Sequence, residues 1–207
     1  MFTNEQISAL RTSVRKRLSP RRFEHTLGVE RAAVSLGRLI LPEEVDELAC
    51  AALLHDIAKE LPQEEQTELL RESGFDLTEN DWETPAVFHS FCAPIIIRAD
   101  YPAFATEKIL SATFRHTVGD EGLSTFDKII MIADYAEDTR TYPACVEVRH
   151  RLFDGLEACT PAERLRRLDD AILTSIRYTE EKITERGQTV NLRMLRARDS
   201  ILAGNLS

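Results

Sequence analysis

The chain has 207 residues, of which 43% are hydrophobic and 29% charged, enough to enclose one continuous core. Its 26 basic and 35 acidic residues leave a formal charge of −9, so the surface as a whole repels polyanions and excludes general binding to a nucleic-acid polymer. A small phosphorylated ligand stays compatible, because a local cationic pocket works inside an acidic protein.

The first residues carry an early Glu5 and no apolar stretch, so no secretory leader is expected, and no run reaches the ~20 apolar residues of a membrane span. The expected location is the cytoplasm, with no membrane partner. Cys50, Cys92, Cys145 and Cys159 form no CxxC pair and are read as reduced core residues.

Apolar residues recur at helical spacing almost throughout, and alternating stretches are scarce, so an all-α fold is expected. The basic cluster Arg11, Arg15, Lys16, Arg17, Arg21 and Arg22 lacks interleaved aromatics and reads as a solvated helix face rather than an RNA contact. Ser19-Pro20 supplies an N-cap and an N1 proline for a helix to about Ile40. Pro42 opens a second helix expected to run until just before Pro62, and a short one over 63–72 stops at Ser73-Gly74. The polar run 76–84 is expected as a loop. Helices resume near Pro85 and again from Glu107 towards Gly119, a C-cap candidate. Ser124 and Asp127 have capping-box spacing, and two further helices are expected near 143–157 and 161–184. The basic segment after Gly187 fits a last packed helix or a partly mobile tail, with a solvated helix end preferred. The expected organisation is one domain over 1–185 with a C-terminal basic extension over 186–207.

Side-chain periodicity then places polar groups on apolar faces. His25 shares a stripe with Val29, Ala32 and Leu36, and His55 with Leu48, Ala51 and Ala52. Asp56 lies over Ala49 and Ala52; His89 leads into Ala93 and Ile96; His116 follows Ile109 and Ala112; Asp134 continues from Ile130. His150, between Arg149 and Arg151, falls off its helix's stripe and is assigned to the surface. A single inward histidine is ordinarily a satisfied core residue. Four histidines and two aspartates from five helices are hard to satisfy pairwise, since an unpartnered buried carboxylate costs several kcal/mol or takes up a proton. One or two divalent cations satisfy them together, and a set of imidazoles and carboxylates without thiolate favours open coordination positions.

The order of His25, His55-Asp56 and Asp134 resembles the pattern of the HD-domain metal-dependent phosphohydrolases. The longer strings RFEHTLGV (22–29), ALLHDIAKELP (52–62), FRHT-x-G (114–119) and LSTFDKIIMIADYAEDTR (123–140) are similar to the YqeK-like symmetrical bis(5′-nucleosyl)-tetraphosphatases, over about residues 5–185. The resemblance implies an all-α HD-domain helical bundle around a dinuclear metal site. It implies His25, His55, Asp56 and Asp134 as ligands of one metal and His89 and His116 as ligands of a second, with Asp56 bridging. The implied cofactors are two divalent ions, iron first, with manganese or another divalent ion able to substitute. Asp56 and Lys59 are the expected catalytic pair, and Lys59, Thr117, Arg140 and Arg22 the expected substrate-binding set. For Arg22, as for Arg115, a plain surface charge is otherwise the preferred reading. The implied reaction is hydrolysis of a nucleotide phosphoanhydride, foremost diadenosine tetraphosphate to two ADP, by a hydroxide held between the metals. A homodimer is compatible with this reading. The chain departs from the pattern at Asp120-Glu121, two acids where the family carries a cation, at Ser90-Phe91 beside His89, and at Asp138 in place of a proline. The acidic loop leaves room for another nucleotide substrate (a mononucleotide, a cyclic nucleotide or an alarmone), and a non-catalytic nucleotide sensor is the alternative from another class.

Overall fold

A computed structural model describes residues 2–204; Met1 of the expected domain and residues 205–207 of the expected extension lie outside them. Eleven α-helices are described, and no strand is found among the described residues. Helix α1 (Asn4–Arg17) starts at a reciprocal cap between Thr3 and Gln6 and buries Ile7, Leu10 and Val14. Its basic face is not simply solvated: Arg11 pairs with Glu30 at 2.5 Å and Arg17 with Asp100. Helix α2 (Pro20–Ile40) begins where Ser19 Oγ accepts the Arg22 amide and Pro20 occupies the first turn, as the cap chemistry predicts.

The helix expected from Pro42 to Pro62 is shorter and divided. A 3₁₀ turn over Pro42–Glu44 leads into α3 (Val45–Leu54), whose residues Leu48–Leu54 are all buried. The chain then tightens into three-residue steps, with Ile57, Lys59 and Leu61 amides donating to the carbonyls of Leu54, Asp56 and Ala58. Such steps turn each residue further than an α-helix does, and they bring His55 and Asp56 to the same side of the core.

Helix α4 (Gln63–Glu72) follows, and the expected loop 76–84 contains α5 (Glu79–Trp82), nucleated by reciprocal Thr78 and Asp81 bonds. Helices α6 (Phe88–Asp100), α7 (Glu107–Arg115) and α8 (Thr125–Ala136) complete the inner bundle, α8 opening on the Ser124–Asp127 capping box. Helix α9 (Pro143–Phe153) ends earlier than expected, because the chain reverses at Gly155 with φ +74°. Helix α10 (Pro161–Glu185) packs on α8 and α9, while α2, α7 and α8 surround α3. All four cysteines are free, three of them buried, and burial pushes the Cys50 and Cys92 thiols up to about 12. No described helix is long and apolar enough to cross a membrane.

The last segment is docked rather than solvated. Helix α11 (Leu192–Gly204) buries Met194, Ala197 and Ile201. The Arg193 guanidinium lies over the rings of Phe91 and Phe114, 5.5 and 5.4 Å from their centroids, and bonds both oxygens of Asp81 at 2.9 Å and Asp120 at 2.5 Å. Burial alone would raise the Asp81 carboxyl, but bonds from Arg193, Thr78 and Asn191 outweigh it and hold it at about 2. Replacing Arg193 by alanine strands a buried carboxylate and is expected to cost ~3 kcal/mol, measured as a lower urea midpoint. Because the folded-state value lies below the unfolded value of about 4, this contribution is complete above about pH 4 and is lost as the pH falls towards 2. The gap between wild type and Arg193→Ala should therefore narrow in acid; a gap that stays constant would remove Asp81 from the account.

Candidate metal centre

Two histidines of the centre lie one residue beyond a helix end. His55 follows α3 and His116 follows α7, where the last carbonyls have no partner within the helix. His55 Nδ1 takes up the Ala52 carbonyl at 2.6 Å, and His116 Nδ1 the Thr113 carbonyl at 2.7 Å. A carbonyl only accepts, so both rings carry their proton on Nδ1 and present the Nε2 lone pair. His25, from α2, directs its Nδ1 at Glu137, whose Oε1 lies 3.1 Å away. Burial would lower this imidazole, but bonds to Asp134 and Glu137 outweigh it and raise it to about 9, so a cation bound at its Nε2 would displace a proton.

The Nε2 atoms converge on the carboxylates. His25 Nε2 lies 3.0 Å from Asp134 Oδ1, and His55 Nε2 lies 3.8 Å from it. Asp56 Oδ2 is 3.7 and 3.5 Å from His25 and His55, whereas Oδ1 is 3.5 and 3.6 Å from His89 and His116. The imidazoles form a continuous edge-on chain, His25–His55–His116–His89, with centroids 5.5, 5.0 and 5.2 Å apart. Donor atoms bound ~2.1 Å from one cation lie about 3–3.5 Å apart, close to these separations.

The residues fit a divalent cation. His55 Nε2 is buried without a hydrogen-bond partner, its nearest carboxylate oxygens lying 3.5 and 3.8 Å away, which is costly for a polar atom unless something else is coordinated there. Two sets bring their ligand atoms within 4.8 Å of one another, His25–His55–Asp134 and His55–Asp56–His116. His89 stands outside both. It reaches Asp56 as given above, and Thr117 Oγ lies between it and His116, 3.1 Å from one Nε2 and 3.0 Å from the other.

The surrounding charges are arranged around the two aspartates. Burial would raise both carboxyls, but the neighbouring histidines hold Asp56, and Arg140 with His25 holds Asp134, well below the ordinary range. Arg140 donates to the Asp134 carbonyl at 2.7 Å and to its carboxylate at 2.6 Å. Arg22 is no plain surface charge: its guanidinium donates to Asp56 Oδ2 at 2.8 Å. Arg115 instead turns to the carbonyls of Glu121 and Gly122. Lys59 Nζ lies 3.2 Å from the His89 ring nitrogens, and burial pushes its ammonium below its usual value. His150 is exposed and pairs only with Asp154, as its position off the stripe predicts.

Glu137 was missed by the periodicity argument. It lies just after α8 in extended conformation, φ −61° and ψ 158°, outside any helical stripe. The Thr139 amide and hydroxyl each donate to it at 2.6 Å, and burial is outweighed by His25 and Thr139, leaving its carboxyl at about 2. Gly28 makes room for it: a Cβ there would come within 2.2 Å of Glu137 Oε2. A glycine interrupting the apolar face of α2, three residues after His25, is the one sequence signal that could have found this approach. The acidic loop also changes meaning, since Asp120 is held by Arg193 and by Arg196 at 2.9 Å.

Buried imidazoles and carboxylates joined by one shared aspartate, with arginines on the open side, make up the centre of a metal-dependent phosphohydrolase. Residues 22–138 match the HD domain family. A protein named "Bis(5'-nucleosyl)-tetraphosphatase, symmetrical" from Halalkalibacterium halodurans is 31% identical over 66% of this chain and 71% of its own. One of the same name from Bacillus subtilis is 29% identical over 66% and 72%. A crystal structure from Clostridium acetobutylicum, described as a predicted HD superfamily hydrolase involved in NAD metabolism, superposes with a TM-score of 0.82 at 26% identity, covering 98% of both chains. The chain therefore belongs to the HD-domain metal-dependent phosphohydrolases, in the family of symmetrical bis(5′-nucleosyl)-tetraphosphatases.

A carboxylate behind a ligating histidine fixes its orientation and basicity, and losing one typically lowers metal affinity about 10- to 100-fold. Glu137→Ala is expected to weaken divalent-cation binding by that factor with the helical circular dichroism unchanged, read by metal titration. Unaltered affinity would remove Glu137 from the centre.

Proposed function

We propose that the protein hydrolyses diadenosine tetraphosphate symmetrically to two ADP, using two divalent cations, iron first among the candidates. The observation that carries this reading is the division of Asp56: Oδ2 faces His25 and His55 while Oδ1 faces His89 and His116. One carboxylate serving two histidine pairs suits a pair of cations better than one. When bound, such cations polarise phosphoryl oxygens and make water nucleophilic near neutral pH.

The remaining work falls to the chain's own side chains. Arg22, His25 and Arg140 line a cleft of about 660 Å³ that opens to solvent. In the proposed complex Arg140 and Arg22 turn part of their hydrogen-bonding capacity to the non-transferred phosphates, and Lys59 offsets charge on the His89 side. Fixed charges of this kind, aimed at a phosphoryl group, supply much of the catalysis in phosphoryl transfer. Thr117, between His89 and His116, offers a hydroxyl to a phosphoryl oxygen. The acidic loop, the feature that favoured a different nucleotide, carries little weight now that Asp120 is occupied by α11.

Metal-quantified protein prepared without oxygen should convert the tetraphosphate to ADP alone. Appearance of ATP and AMP would overturn symmetrical cleavage, and preferential turnover of mononucleotides or of NAD would overturn the substrate. Asp56→Ala should lower metal content and reduce kcat by at least ~10³-fold, the scale of losing a principal electrostatic group. Metal-loaded protein that binds nucleotide tightly without turnover would instead support a sensor.

A further inference from the structure

We infer that Tyr142 is a stacking platform for a nucleobase of the substrate. This rests on the nucleotide reading above and adds a recognition element to it. The cleft that holds Arg22, His25 and Arg140 is also lined by Tyr142. Arg21, Arg22 and Arg140 line it together with Glu24, Glu60 and Glu137, and the guanidiniums are the groups suited to phosphate. Tyr142 is 62% exposed, the largest value among the exposed large hydrophobics of the described residues; the others there, Leu165, Leu192 and Leu202, are aliphatic. A ring exposed on its own is ordinary on a protein surface; this one stands out because it lines the same cleft as Arg22 and Arg140, and it couples a large apolar face to a polar tip.

The backbone at this point is fixed, so the ring is presented rather than loose. Tyr142 is the N-cap residue of α9 with φ −63° and ψ 135°, in the extended range that a following proline favours. Its carbonyl accepts the Val146 amide at 3.0 Å. Lys182 Nζ, from α10, lies 5.1 Å from the ring centroid, so a cation attends the ring while most of its surface stays open. A purine carried by a phosphate chain anchored at Arg22 and Arg140 extends outward along the same wall. Stacking on an aromatic is tolerant of base identity and worth enough to be measured.

The test uses metal-loaded protein and two probes, ADP and inorganic pyrophosphate, with affinities measured by calorimetry. Tyr142→Ala is expected to weaken ADP binding about tenfold and to leave pyrophosphate binding unchanged, while Tyr142→Phe behaves as wild type. Metal content and Tm should be the same in all three proteins. An equal loss for both probes would assign Tyr142 to shaping the phosphate end and overturn the inference. So would unchanged ADP binding in Tyr142→Ala, with the nucleotide reading left intact. Wild-type protein that binds neither probe would bring down the nucleotide reading itself, and the inference with it.

Discussion

Two carboxylates held inside a helical bundle set the terms for everything around them. Asp56 is buried and Asp134 nearly so, and a buried carboxylate must find cationic partners or give up its charge. The immediate surroundings answer in kind: Arg22, Arg140 and Lys59 stand against Asp56, Asp134 and Glu137. Three acids stand against three bases, and against the effect of burial bonds to Asp134 and Glu137 raise the His25 imidazole to about 9, so it adds positive charge of its own. Any divalent cation bound there makes it net positive. In the proposed reading, a protein of charge −9 gains a local positive field at this centre, although its surface at large repels polyanions.

The same demand explains the helix ends. A histidine whose Nε2 is to face a metal needs an acceptor at Nδ1, and a helix C-terminus supplies unpaired carbonyls. His55 and His116 each use the carbonyl three residues back, so each candidate ligand and its orienting partner come from one short stretch of sequence. His25 lies inside α2, where carbonyls are already bonded, and needs an acceptor from elsewhere. Glu137 provides it across 112 positions of sequence, and Gly28 clears its path.

This division also marks what could be read from the sequence. The inward stripes of α2, α3, α6, α7 and α8 named all six candidate ligands, and His150 failed the same test, because burial on a helix has a period. Residues without such a period either escaped, as Glu137 did, or were named only through the family resemblance, as Thr117 and Arg22 were. Glu137 sits in extended chain after α8, and Thr117 in the turn after His116. Arg22 occupies the first turn of α2, where a charge reads as surface until its partner is known. α5 depends on two residues bonding each other's backbones, too local for periodicity to register. The basic character of α11 suggested solvent because its acidic partners, Asp81 and Asp120, are more than 70 positions away.

That last helix belongs to the site in a physical sense. The family match ends at residue 138, yet Ser175, Ile176 and Thr179 of α10 and Met194 of α11 share a cavity of about 40 Å³ with His116, Thr117 and Asp134. Gly119 has φ +72°, which only glycine adopts readily, and a Cβ there would come within 2.8 Å of Ala197. The turn that carries His116 and Thr117 is therefore closed from behind by α11 and tied down through Asp120. A metal site tolerates little displacement of its ligands. The pairing of Arg193 and Arg196 with Asp120 makes the acidic loop and the basic C-terminal segment halves of one support for the His116 side of the centre.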